Sequence, residues 1–242
     1  SRVRKNYVKR AFDLLRDVEP GTGTPPDVVT YNSVLSVAMT SRQYLVCLEV
    51  LDEMKRVGVT PDLVSYSTVI SACDKAHKWE KALEVYEMLK EAGLRANVIT
   101  FNSLMSACQR VGEFDKAFEI HEIMLKEGVQ PNTVTYSVLI AACKHPDHWV
   151  RAFETFLIMT KEGITPDAIT FSALLSVCQD SGQWEQAMDV LQWMKQYDIQ
   201  PNVVMYSSVV GACGKAGRLD KALEVAAEMR RQHVQGNVVF YT

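Results

Sequence analysis

The chain has 242 residues, of which 48% are apolar and 23% charged, and a net charge of −3. That length and composition suit a folded chain with its own core and exclude a disordered one. The slight acidity excludes a broad basic footprint for nucleic acid or a membrane surface, and no apolar run reaches the roughly 18 residues of a membrane span.

From Val28 onward the sequence falls into six blocks of 35 residues without insertion or deletion: 28–62, 63–97, 98–132, 133–167, 168–202 and 203–237, with a further block begun at 238–242. The fourth residue of each block is aromatic: Tyr31, Tyr66, Phe101, Tyr136, Phe171, Tyr206 and Tyr241. The second is always Val or Ile: Val29, Val64, Ile99, Val134, Ile169, Val204 and Val239. A fixed period of this size is the mark of stacked structural units.

Within a block the apolar residues follow a helical period twice. Tyr66, Val69, Ile70 and Cys73 fall at i, i+3, i+4 and i+7, which predicts a first helix of about 12 residues opening near the aromatic position. After a break at His77-Lys78, the stripe Trp79, Ala82, Leu83, Tyr86 and Leu89 predicts a second helix. Gly58, Gly93, Gly128 and Gly163 supply a left-handed residue after it, and Pro61, Pro131, Pro166 and Pro201 stop its continuation. Thr30, Ser65, Thr100, Thr135 and Thr170 precede the aromatic residue and are expected to cap the first helix. Met205 and Phe240 stand in that column without a hydroxyl, so their helices are expected to be capped less well, by about 1 kcal/mol. No single hairpin can bury its apolar faces, so the fold class is all-α: an α-solenoid of 35-residue helix-turn-helix repeats, with the first helices along one surface.

Five cysteines, at 73, 108, 143, 178 and 213, follow the same 35-residue interval, and Cys47 takes a place filled elsewhere by Ala82, Ala117, Ala152, Ala187 and Ala222. They read as small core fillers, because equivalent positions of stacked helices lie about 10 Å apart, beyond disulfide reach. Met54, Met124, Met159, Met194 and Met229 form another core column, and Trp79, Trp149 and Trp184 share a packing position with Tyr44 and Phe114. His145 and His148 lack a carboxylate or Cys partner at a defined position and read as a solvated turn. No nucleophile with a base, phosphate loop or carboxylate pair interrupts the repeat, so neither an enzyme nor a metal or other cofactor is expected.

A 35-residue hairpin that opens "VVTYN", contains "LMSACQRVGEFDKAFEIHEIM" and closes "GVQPN" resembles the pentatricopeptide repeat (PPR) family, in its P-type form made only of such units. The tetratricopeptide repeat differs in its period of about 34 and in its Trp-Leu-Gly-Tyr pattern. By the same resemblance, 1–27 is similar to the second helix and connection of a truncated earlier repeat. The chain begins without Met and ends at the opening of another unit, and is expected to be a fragment whose transit peptide, and any further enzymatic domain, would lie outside it.

Two columns vary in ways that packing does not explain. The fifth residues are Asn32, Ser67, Asn102, Ser137, Ser172 and Ser207, and the last residues are Asp62, Asn97, Asn132, Asp167, Asn202 and Asn237. Helix-start and turn chemistry accounts for their type, yet four different pairings occur across six blocks. The resemblance implies that each pair reads one RNA base along its Watson–Crick edge. Asp can only accept a hydrogen bond, which suits U and G, while Asn both donates and accepts, which suits A and C. On the family's pattern the six repeats spell 5′-U-A-Y-G-A-A-3′. The resemblance further implies that the Val/Ile column sandwiches each base, although ordinary packing explains it equally well. It also places phosphate-binding cations at the thirteenth residue, here Lys75, Arg110 and Lys215 beside Thr40, His145 and Asp180. Half the units lack a cation there, so moderate affinity and a shallow salt dependence follow. The implied partner is single-stranded RNA in a chloroplast or mitochondrion. The alternative is a protein scaffold that holds other organellar gene-expression proteins. No membrane partner is expected.

Overall fold

A computed structural model describes residues 26–232. These residues form twelve α-helices and one short 3-10 helix, and no strand. The helices are α1 Val28–Thr40, α2 Tyr44–Arg56, α3 Leu63–Lys75, α4 Trp79–Glu91, α5 Val98–Val111, α6 Phe114–Lys126, α7 Thr133–Ala142, α8 Trp149–Lys161, α9 Ala168–Ser181, α10 Trp184–Gln196, α11 Val203–Lys215 and α12 Leu219–Arg231. The chain divides into two compact units, 1–130 and 131–242. In the first unit α1, α3 and α5 pack one against the next, while α2 packs on α1 and α3, α4 on α3 and α5, and α6 on α5. In the second unit α7, α9 and α11 stack in the same way. Each unit is thus a solenoid of helical hairpins.

The core is built from the predicted stripes. Tyr66, Val69, Ile70 and Cys73 are at most 1% exposed, as are Ala82 and Leu89 opposite them. Burying each large apolar side chain contributes about 1.5–3 kcal/mol, which a lone hairpin could not collect. The aromatic column is wholly interior from Tyr31 to Tyr206, and so is the Met column. All six cysteines are buried and unbridged, and burial pushes the thiols of Cys47, Cys108, Cys143 and Cys178 up to about 12.

The ends of the first helices correct the sequence reading in two respects. Each helix starts three residues before the aromatic residue, so the hydroxyl column is not the cap. The last residue of the preceding block caps instead: Asp62 Oδ1 accepts the Ser65 N–H at 2.9 Å and Asn97 Oδ1 that of Thr100 at 2.9 Å. The hydroxyl sits one turn inside and turns back toward the cap, closing a capping box at Ser65, Thr135 and Thr170. The second correction concerns Met205, whose N–H is accepted by Asn202 Oδ1 at 3.0 Å, so α11 is capped after all and lacks only the returning hydroxyl. Phe240 lies outside the described residues.

A second left-handed position also escaped the sequence. Between the two helices of a hairpin the chain turns through Gly112, Gly182 and Gly217 at φ +82, +70 and +69, but through Arg42 and His77 at φ +56 and +58 in the first two hairpins. The Lys78 N–H then reaches back to the Cys73 carbonyl at 2.9 Å, a Schellman-type closure that needs the positive φ whatever the side chain. The fourth hairpin departs from the rest. Pro146 forces His145 into extended backbone, so α7 has 10 residues and a 3-10 turn Pro146–His148 fills the gap. A first helix of about 12 residues in every block is therefore not what forms there.

Candidate nucleic-acid interface

The second-position residues show the sharpest departure from packing. Val29, Val64, Ile99, Val134, Ile169 and Val204 are between 52% and 68% exposed, although each lies on the first turn of a well-buried helix. Large aliphatic groups held in solvent at one register serve no core. Each stands beside the capping Asp or Asn and three residues before the fifth position, so aliphatic and polar groups recur together on the same helix ends.

In three pairs the fifth and last residues are joined by the buried hydroxyl of the next helix. In the first pair, Asn32 Nδ2 donates to Asp62 Oδ1 at 3.1 Å, and the Ser65 hydroxyl lies 2.7 Å from Asn32 Oδ1 and 3.0 Å from Asp62 Oδ1. In the second, the Ser67 and Thr100 hydroxyls are 2.8 Å apart, and Thr100 Oγ1 donates to Asn97 Oδ1 at 3.0 Å. In the fourth, Ser137 and Thr170 hydroxyls are 2.7 Å apart and Thr170 Oγ1 donates to Asp167 Oδ1 at 2.9 Å. Asn102 and Ser172 are half-buried, Asn132 and Asn202 exposed, and Ser207 donates to the Val203 carbonyl at 2.8 Å. Asn237 and Val239 lie outside the described residues.

Capping settles which atom of each last residue is available. The N–H groups of the helix start take Oδ1, which orients the Asn amides, so Nδ2 of Asn97 and Asn202 is the remaining group while Asp62 and Asp167 offer a second carboxylate oxygen. Burial works against ionisation of Asp62, but hydrogen bonds from the Ser65 N–H, the Asn32 amide and the Ser65 hydroxyl outweigh it and hold the carboxyl below its usual range.

The cations expected at the thirteenth position are partly engaged within the protein. Arg110 Nε pairs with Asp74 at 2.9 Å, Lys215 Nζ donates to the Asp180 carbonyl at 3.1 Å, and Lys75 Nζ stands 2.8 Å from Met39 Sδ. The sequence did not show that Asp74 pairs with Arg110, nor that the buried hydroxyl column contacts the fifth residues. Lys144 was missed as well. It lies one residue before the expected column, just beyond the shortened α7, and is exposed at the rim of a cleft of about 440 Å³ lined also by Ile169, Ser172, Asn202 and Met205. Among the described residues no group of three or more His, Cys, Asp or Glu could hold a metal ion, and no helix is long and apolar enough to cross a membrane.

Comparison with family models matches residues 96–237, more than half of the chain, to the pentacotripeptide-repeat region of PRORP, and residues 26–75 and 61–110 to the PPR repeat family. The chain belongs to the pentatricopeptide repeat family. Solved PPR structures agree with this assignment. Maize PPR10 is 30% identical over 98% of this PPR chain, with a TM-score of 0.69. PPR10 in complex with an 18-nt psaJ RNA element is 25% identical over 98% of it, with a TM-score of 0.63. The PPR domain of Arabidopsis thaliana PRORP1 in complex with tRNA shares the fold at 19% identity, over 71% of this chain and 91% of that domain, with a TM-score of 0.61. The PPR chain spans only about a third of PPR10, 34% and 38% in the two structures. Comparison with curated proteins gives no match.

Proposed function

We propose that this PPR chain binds single-stranded RNA and reads one base per repeat, in the order 5′-U-A-Y-G-A-A-3′. The carrying observation is the set of second-position residues, Val29, Val64, Ile99, Val134, Ile169 and Val204, between 52% and 68% exposed, beside capping residues whose outward atom is an acceptor at Asp62 and Asp167 and a donor at Asn97 and Asn202. Aliphatic groups of adjacent repeats would grip the faces of a base, while the fifth and last residues meet its edge. Asn32 with Asp62 takes U, Ser67 with Asn97 A, Asn102 with Asn132 C or U, Ser137 with Asp167 G, and Ser172 with Asn202 and Ser207 with Asn237 A. Lys75, Arg110 and Lys215 are assigned to phosphates, and Lys144 joins them because it is exposed beside the fifth pair. RNA-bound PPR10 supports the partner class by likeness. The mechanism is occupancy: a bound chain shields RNA from nucleases or keeps a site unpaired for processing, splicing or translation, and the family resemblance puts that work in a chloroplast or mitochondrion.

Fluorescence anisotropy with a labelled RNA containing UACGAA, its scramble and the DNA equivalent, at two salt concentrations, tests this reading. Selective binding of the first is expected. Equal or absent binding to all three overturns it and leaves the protein-scaffold reading, which the net charge of −3 and the Arg110–Asp74 pair favour.

A further inference from the structure

Among the described residues, the buried hydroxyl at the third position of a block links the fifth and last residues of the block before it in the first, second and fourth pairs, and Met205 stands in its place at the fifth. Ser65, Thr100 and Thr170 are fully buried and each contacts both members of a pair. Where Thr100 donates to Asn97, its own oxygen receives the Ser67 proton, so Ser67 offers outward only lone pairs. The proton of Ser137 is directed inward too, with Thr170 Oγ1 at 2.7 Å and the Thr133 carbonyl at 2.8 Å as its acceptors. In the fifth pair the linking place belongs to Met205, only 2% exposed. Asn202 Oδ1 still caps the Met205 N–H at 3.0 Å but receives no hydroxyl, whereas Asn97 Oδ1 receives both the N–H and the hydroxyl of Thr100. Ser172 makes no hydrogen bond among the described residues, and it lines the 440 Å³ cleft together with Ile169, Asn202 and Met205.

We propose that Met205 relaxes base selection at the fifth repeat, so that the Ser172–Asn202 site accepts guanine as well as the adenine assigned to it above, while the Ser67–Asn97 site, linked through Thr100, prefers adenine. The inference rests on the base-per-repeat reading above. A hydroxyl whose proton is fixed inward presents one pattern and favours one purine edge. The Ser172 hydroxyl rotates, so it accepts from the adenine amino group or donates to the guanine carbonyl with equal ease. The spare lone pair on Asn202 Oδ1 adds the same tolerance, and the deformable thioether of Met205 makes no polar demand of its own.

The test is anisotropy titration of wild type, Met205→Thr and Thr100→Val with UACGAA-type RNAs in which the second or the fifth base is exchanged between A and G. The second site has the same Ser and Asn as the fifth, and among the described residues the Ser67 hydroxyl bonds Thr100 alone. Wild type is expected to separate the second-base pair by about fivefold, the factor of one typical hydrogen bond, and the fifth-base pair by less than about twofold. Met205→Thr should create an adenine preference of about fivefold at the fifth base and leave the second unchanged. Thr100→Val, which keeps the shape and the backbone cap, should erase the preference at the second, and it decides the matter by itself if Met205→Thr does not fold. Wild type separating A from G at the fifth base as sharply as at the second, or preferences that neither variant moves, overturns the proposal. Loss of preference between UACGAA and its scramble in wild type is a different result: it removes the base-per-repeat reading, and this inference with it.

Discussion

The carboxylate of Asp62 accepts the backbone N–H of Ser65 at 2.9 Å, so the residue that closes one 35-residue block opens the first helix of the next. One oxygen belongs to the fold, and the other is open to the proposed base contact. That division explains how a single column can be confined to Asp and Asn by helix capping and still vary in the hydrogen bonding it offers outward.

The two roles separate by mutation. Asp62→Ala removes the cap and is expected to cost about 1 kcal/mol in urea unfolding. Asp62→Asn keeps an equally good cap and should leave stability unchanged while shifting the first-base preference from U toward C in anisotropy. Asp167→Asn should likewise move the fourth base from G toward A.

Two isoleucines one helix apart make opposite predictions. Ile70 is fully buried, and Ile70→Ala should destabilise by about 2–5 kcal/mol. Ile99 is 61% exposed, and Ile99→Ala should change stability by less than about 0.5 kcal/mol while weakening RNA binding. A large loss of stability with unchanged binding for Ile99→Ala would assign that column to packing.

At φ +58, His77 occupies the place that Gly112, Gly182 and Gly217 fill in other hairpins. His77→Gly is therefore expected to raise stability by about 1 kcal/mol, read as a higher melting temperature, because the left-handed conformation penalises any side chain.

Acid should act through Asp62. Its carboxyl titrates lower in the folded chain than in the unfolded one, so its stabilisation is complete above the unfolded value of about 3.9 and disappears as pH falls through the lower folded value. The stability of wild type should accordingly drop more steeply than that of Asp62→Asn as pH falls from about 4.

The cysteines should be inert. All six are buried, and the thiols of Cys73 and Cys108 are pushed up to about 11 and about 12 by burial. Alkylation near pH 8, read by mass spectrometry, is expected to leave the native chain unmodified and to label all six in denaturant.

Periodicity alone determined the hairpins, their core columns from Tyr31 to Tyr206 and the interior place of the cysteines, because apolar spacing is set by helix geometry and helix geometry is local. Local reading misplaced the caps by one turn, since Thr or Ser before an aromatic residue is an acceptable cap in isolation, and only the backbone path shows Asp62 or Asn97 there instead. Nor could spacing tell whether Val29 and its successors are buried, because an aliphatic residue suits either side of a helix until its neighbours are in place. The hydroxyl link through Thr100 and Thr170, its absence at Met205 and the pairing of Arg110 with Asp74 join residues about one block apart. Such contacts exist only once hairpins stack, and it is the stacking that decides which polar atoms face inward and which remain for a partner.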